Sequence, residues 1–211
     1  MGWGGMPQLL CTRGSKTRIP GIWINLASSI LVVCTANICR SPMAERLIQR
    51  EVSERQIDVR VSSAGVAAQV GRPAASGSIS ALAGLGCELS EHRSRPIANL
   101  ATQVDLVLTM EVAHIPPVVS GQRELFLRTF TLREMLRRSR DVGPRGQRSF
   151  EEWLHALNQG RTAKGVLSSR DLDIADPFGK EACEFKACAE QLNDLCSRLA
   201  VNMWGANPLL I

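Results

Sequence analysis

The stretch ILVVCTANICRSPMAE, Ile30 to Glu45, decides the fold. Ile30–Cys34 is a continuous apolar run of strand length, the pattern of a strand buried on both faces. Ser41-Pro42 is a helix-start signal, because proline at the first helical position gives up no N–H that the helix needs. Met43, Ala44, Leu47 and Ile48 then share one stripe of a helix running to about Glu54. A buried strand joined to a helix by a short loop is the repeating unit of a parallel sheet.

The same alternation continues outward. Asp58–Ser63, DVRVSS, predicts a second strand, and Ser78–Leu85 a helix. LSEHRSRPI, Leu89 to Ile97, reads as a polar turn or a short helix. Val104–Met110 predicts a third strand, Glu124–Leu127 a fourth, and Glu181–Met203 a long final helix. The expected fold is therefore α/β: a doubly wound, four-stranded parallel sheet with helices on both faces. Its ligand site should lie beyond the carboxyl ends of the strands, where Cys34 sits.

Residues 1–27 hold five Gly, several basic residues and two isolated Trp, and read as an N-terminal extension without regular structure. The domain proper is expected over 28–211, with a helical Arg-rich insertion at about 128–170. Two helices are expected inside that insertion, Leu132–Arg140 and Phe150–Gln159. Six Arg fall between Arg133 and Arg148. A solvated helical face is the favoured reading of them, and a rim that attracts an anionic substrate or protein is the alternative.

The composition narrows the function. The chain has 211 residues, 45% hydrophobic and 21% charged, enough for one domain with a substantial core. Its net charge is +5, carried by 21 Arg and 4 Lys against 20 acidic residues. Aromatics are only 4% and Tyr is absent, which argues against a base-stacking nucleic-acid platform. Phosphate-bearing ligands fit the charge better. Seven scattered Cys, an odd count, indicate a reducing cytoplasm rather than a disulfide framework. Basic residues before Ile19–Ala36 imitate a signal peptide, but Pro20, Gly21, Asn25, Ser28 and Ser29 interrupt it. No membrane association is expected, and the oligomeric state stays open.

The loop between strand and helix carries the chemistry. Backbone N–H groups of a short loop entering a helix converge on one point and make an anion cradle. A cysteine at its start, Cys34, feels those dipoles, which favour the thiolate. A thiolate beneath a bound phosphate can attack phosphorus in line. Arg40, six positions after Cys34 with five residues between them, can clamp two phosphate oxygens with its planar fork.

CTANICRSPMAE, Cys34 to Glu45, resembles the signature of the low-molecular-weight protein tyrosine phosphatases, with Ala36 where glycine is usual. SSAG at 62–65, EHRSRPI at 91–97, DLVLTM at 105–110 and DPFG at 176–179 are similar to further parts of that family. The resemblance implies a flavodoxin-like fold, no metal or other cofactor, and hydrolysis of phosphotyrosine-bearing proteins through a phosphocysteine. It implies that Cys34 is the nucleophile, Arg40 the clamp and Asp176 the general acid. Thr35, Ala36, Asn37, Ile38 and Cys39 would form the phosphate loop. Ser41 would donate to the Cys34 thiolate, with His92 and Ser63 supporting Asn37. Cys34 and Cys39 share the loop, and the resemblance suggests they pair when oxidised. Ile38 is expected to project to the pocket mouth, and Phe178 to offer a second wall. In the family, an apolar residue at the Ile38 position accompanies phosphotyrosine preference, and Thr there accompanies phosphoarginine hydrolysis.

Blander roles exist for these residues. Asp-Pro is a common turn element, a lone turn His is often structural, and Asp171 and Asp173 read as surface charges. Cys183, Cys188 and Cys196 lack ligand spacing and read as core. Two other functions compete with this one. An arsenate reductase could use the same cradle; the thioredoxin-coupled kind needs a further Cys pair, and only Cys87 lies between Cys39 and Cys183, whereas a form resolved by a small external thiol stays open. A non-catalytic phospho-binding module would have no use for Asp176.

Overall fold

The structure is a computed structural model that describes residues 16–19, 22–25, 29–98 and 100–207. Within the segment expected to lack regular structure, β1 (Lys16–Ile19) and β2 (Ile22–Asn25) pair as an antiparallel hairpin. The rest of residues 1–28 lies outside the described residues.

The central sheet holds β3 (Ser29–Cys34), β4 (Arg60–Gly65), β5 (Leu106–Thr109) and β6 (Thr129–Thr131) in the spatial order β4-β3-β5-β6. All pairings are parallel, with Cys34 opposite Gly65 at the carboxyl end of β3. Every β3 residue is buried, because helices cover both faces of the sheet. Ile30, Val32 and Cys34 face Met43, Leu47 and Ile48 of α1 (Arg40–Glu54). Leu31 and Val33 pack the other way, with Val107, Val118 and Leu125.

Around this sheet the chain adds α2 (Ser76–Ala83), α3 (Ile115–Val119), α4 (Arg123–Phe126), α5 (Leu132–Val142), α6 (Phe150–Asn158), α7 (Ala163–Leu167) and α8 (Ala182–Trp204). Among the described residues no helix is long and apolar enough to cross a membrane.

Two expectations need correction. Glu124–Leu127 is not a strand; Arg123–Phe126 is the short helix α4, and Leu127 is 55% exposed. The fourth strand is Thr129–Thr131 instead, three wholly buried residues too short and too polar to read as an apolar run. The Thr129 hydroxyl is accommodated there by donating to Leu125 O, at 2.7 Å. The helix start also shifts: Pro42 is the third residue of α1, still in the turn whose N–H groups have no intrahelical partner.

The arginine-rich segment is partly core. Leu132, Met135, Leu136, Phe150, Trp153 and Leu157 all join the main hydrophobic cluster. Arg161 is fully enclosed, bonded through Nε to Glu134 Oε1 at 2.7 Å and through Nη2 to Oε2 at 3.0 Å. Its guanidinium carbon lies 3.9 Å from the Phe126 ring centre and 4.1 Å from that of Phe130. A carboxylate as buried as Glu134 needs such a partner, since an unpaired buried charge costs several kcal/mol.

Candidate active site

The loop Thr35–Cys39 wraps around the sulfur of Cys34. Asn37 N donates to Cys34 Sγ at 3.3 Å, and Ser41 Oγ lies 3.0 Å from the same sulfur. Asn37 takes φ +55°, a left-handed conformation that Asn tolerates better than most residues. Ala36 has no such φ, so the usual glycine is not needed there for backbone strain.

Asn37 organises the loop because every polar atom of its side chain is engaged. Its Nδ2 donates to Ser41 Oγ at 3.0 Å and to Ser63 Oγ at 2.8 Å, while Oδ1 accepts from Arg95 N at 3.0 Å. The bond to Ser41 occupies a lone pair and leaves the Ser41 hydroxyl hydrogen for Cys34. Ser63 Oγ donates onward to Glu45 Oε2 at 2.6 Å. His92 Nε2 donates to the Asn37 carbonyl at 2.7 Å. The sequence thus named four residues, Asn37, Ser41, Ser63 and His92, that the fold brings into one network.

Arg40 is 1% exposed and enters from the first turn of α1. Nη1 donates to Ile174 O at 2.9 Å and to the Glu111 carboxylate; Nη2 donates to Asp176 Oδ2 at 2.5 Å and reaches Thr35 Oγ1 at 3.5 Å. Burial opposes its charge, but the Glu111 hydrogen bond and the Asp176 charge outweigh it and push its pKa up. Nε is buried without a hydrogen-bond partner among the described residues. Asp176 is fixed on its other oxygen by Phe178 N, at 3.1 Å. Its side chain is 40% exposed, open to an incoming ligand.

Glu111 and His114 escaped the sequence reading. Glu111 follows β5 at its carboxyl end, which is the signal that could have found it. His114 Nδ1 accepts from Glu111 N at 3.2 Å, so Nε2 carries the proton and donates to Thr35 Oγ1 at 3.0 Å. Asp173 is also more than a surface charge: its Oδ1 accepts from Val112 N at 2.7 Å, tying the acid loop to the turn that carries Glu111 and His114.

Burial lowers the pKa of both His92 and His114 from the ordinary 6.5. The native state therefore binds fewer protons than the unfolded chain below about pH 6.5, and stability falls as pH drops through that value. Melting curves between pH 7 and 5 should show this slope, flattened in His114→Gln. An unchanged slope in that variant would mean His114 does not hold the proton balance.

Gly65 supports the cradle from below. A Cβ there would lie 2.6 Å from Thr35 O and 2.9 Å from Asn37 N, both backbone atoms of the loop. Gly65→Ala should cost about 1–3 kcal/mol of stability as the loop is pushed aside. It should also lower kcat/KM by about tenfold or more, because small misplacements of reacting groups are expensive. A denaturant midpoint and a kcat/KM both equal to wild type would contradict this.

Residues 29–159 match the family described as low molecular weight phosphotyrosine protein phosphatase. The chain belongs to that family. The low molecular weight protein-tyrosine-phosphatase Wzb of Escherichia coli K12 is 39% identical over 145 residues, covering 62% of this chain and 96% of Wzb. Etp of the same strain, also a low molecular weight protein-tyrosine-phosphatase, is 36% identical over 146 residues, covering 63% of this chain and 96% of Etp. The solved structure of the YwlE arginine phosphatase from Geobacillus stearothermophilus superposes with a TM-score of 0.59 at 31% identity, over 82% of this chain and 90% of that one. In this phosphatase Asp176 lies beyond the matched segment, and the fold returns it to Arg40 across 136 positions.

Two expected pocket residues behave differently. Ile38 is 4% exposed and packed with Cys39 and Phe185, so its side chain does not stand at an open mouth. Phe178, beside Asp176, is 58% exposed and free to meet a ligand. Burial pushes the Cys39 thiol up to about 11, so it stays protonated at neutral pH. Of the three cysteines read as core, Cys188 and Cys196 are buried and Cys183 is exposed.

Proposed function

We propose that the phosphatase hydrolyses phosphotyrosine in proteins through a phosphocysteine on Cys34. The observation that carries this reading is the convergence of three groups: the sulfur under the Asn37 N–H, the Arg40 fork, and the Asp176 carboxyl 2.5 Å from that fork. The phosphoryl group sits over Cys34 with oxygens on the loop N–H groups. Arg40 holds it through Nη2 and the otherwise unpartnered Nε, a planar pair of donors suited to two oxygens.

In the first step Cys34 Sγ attacks phosphorus and the bond to the phenolic oxygen breaks. Protonated Asp176 gives that oxygen its proton, so tyrosine leaves neutral. The Asp176 carboxylate then takes a proton from water, whose oxygen attacks phosphorus. The P–S bond breaks and returns the thiolate, which the Ser41 hydroxyl and Asn37 N–H stabilise. Glu111 and Ile174 O hold Nη1 of Arg40 so that the fork cannot swing away. Such a protein works in the cytoplasm, where the thiolate stays reduced.

Specificity falls to the wall beside the acid. Phe178 is the exposed aromatic ring next to Asp176, whereas Ile38 acts from a packed position in the loop. Release of inorganic phosphate from phosphotyrosine, phosphoarginine and phosphoserine peptides tests the reading, with phosphotyrosine expected to be strongly preferred. Phe178→Ala should lower kcat/KM for phosphotyrosine peptides several-fold, up to about tenfold, since aromatic contacts are worth roughly 0.5–1.5 kcal/mol. Ile38→Thr should shift the ratio towards phosphoarginine, although it also disturbs packing against Phe185. A wild-type preference for phosphoarginine would overturn the assignment.

A further inference from the structure

The six arginines between 133 and 148 sort into two groups. Arg145 donates to Met203 O and Arg148 O, at 2.7 and 2.8 Å. Arg148 spends its donors on carbonyls of 142–145, and Arg138 reaches Gln159 O and Glu134. These three are structural. Arg133, Arg137 and Arg140, spaced four and three residues apart, share one face of α5.

With Arg198 of α8 they line a groove of about 370 Å³. The buried Leu136, Leu172 and Leu195 and the polar Gln191 complete its lining. Two carboxylates face four guanidinium groups there, so the groove carries a net charge of +2. Arg137 pairs with Asp171 at 2.9 Å and Arg198 with Asp194 at 3.2 Å, all four side chains at least 41% exposed. Ion pairs this exposed contribute little and yield readily to another anion. Arg140 makes no hydrogen bond or ion pair among the described residues. The lining holds no aromatic side chain on which a base could stack, which disfavours nucleic acid.

The groove adjoins the site along the chain. Arg133 donates to Asp171 O at 3.1 Å. Ile174, whose carbonyl holds Arg40, and Asp176 follow within five residues, a span of at most ~18 Å. We propose that this groove binds an acidic segment of the protein substrate, with Asp or Glu side chains about five residues from the phosphotyrosine. The inference rests on the phosphotyrosine reading and adds a substrate class to it.

The test compares a phosphotyrosine peptide carrying a run of Glu about five residues away with its Glu→Gln counterpart. Wild type should favour the acidic peptide by about tenfold in kcat/KM, with the preference fading as salt rises. Arg137→Gln combined with Arg140→Gln, both at exposed positions, should erase it while p-nitrophenyl phosphate kinetics and the melting temperature stay unchanged. Equal turnover of both peptides by wild type, or a preference that survives in the variant, overturns the groove alone. Turnover of p-nitrophenyl phosphate but of neither peptide overturns the phosphotyrosine reading and the groove with it. Retention of single-stranded RNA by wild type but not by the variant, without a peptide preference, would assign the groove to nucleic acid and reject the proposal.

Discussion

Cys34→Ser should reduce turnover by at least about 10⁴-fold while the protein still binds inorganic phosphate. The two effects separate because they rest on different atoms. Attack needs the sulfur, whereas the cradle is built from backbone N–H groups and Arg40, which the substitution leaves in place. A serine hydroxyl is a weak nucleophile at neutral pH without an adjacent base, and the residues around the sulfur, Asn37 N and Ser41 Oγ, are donors. Arg40→Lys should be nearly as damaging, about 10²–10³-fold, since an ammonium cannot hold two oxygens in one plane. It would also abandon the bonds to Glu111, Ile174 and Asp176 that aim the fork. Activity within about tenfold of wild type in Cys34→Ser would remove the sulfur from the mechanism.

Asp176→Asn should cost about 10²–10⁴-fold, the usual worth of a positioned general acid–base. The loss should grow with the basicity of the leaving group. Nitrophenolate departs readily without a proton, so p-nitrophenyl phosphate should suffer less than a phosphotyrosine peptide. The variant also breaks the ion pair with Arg40, so its KM should be read separately from kcat. Equal losses on both esters would point to a different acid.

Much of the site is legible in the sequence because it is local. Cys34, Asn37, Arg40 and Ser41 lie within eight residues, where a strand, a tight loop and a helix start fix their relations. The resemblance of DPFG pointed to the acid, although only folding brings it to Arg40. Glu111 and His114 were not legible. Their contacts with Arg40 and Thr35 span 71 and 79 positions and come from tertiary packing alone.

The fold shows the same division. β3 and α1 follow from hydrophobic periodicity, whereas β6 is three residues with two threonines and has no period to detect. Glu124–Leu127 resembles a strand because three apolar residues in a row fit a short strand as well as a helical turn. The direction of Ile38 was missed for a related reason. A loop has no repeat that assigns a face, and Phe185, which covers it, lies 147 positions away.

The most direct test of the account is chemical trapping of the intermediate. A phosphotyrosine peptide mixed with wild type in excess, and with Asp176→Asn, is quenched within one turnover and mapped by mass spectrometry. The account predicts one phosphoryl group on Cys34, accumulating further in Asp176→Asn, where activation of water is lost. Phosphate released with no enzyme-bound phosphoryl group at any time, or bound to a residue other than Cys34, would contradict it.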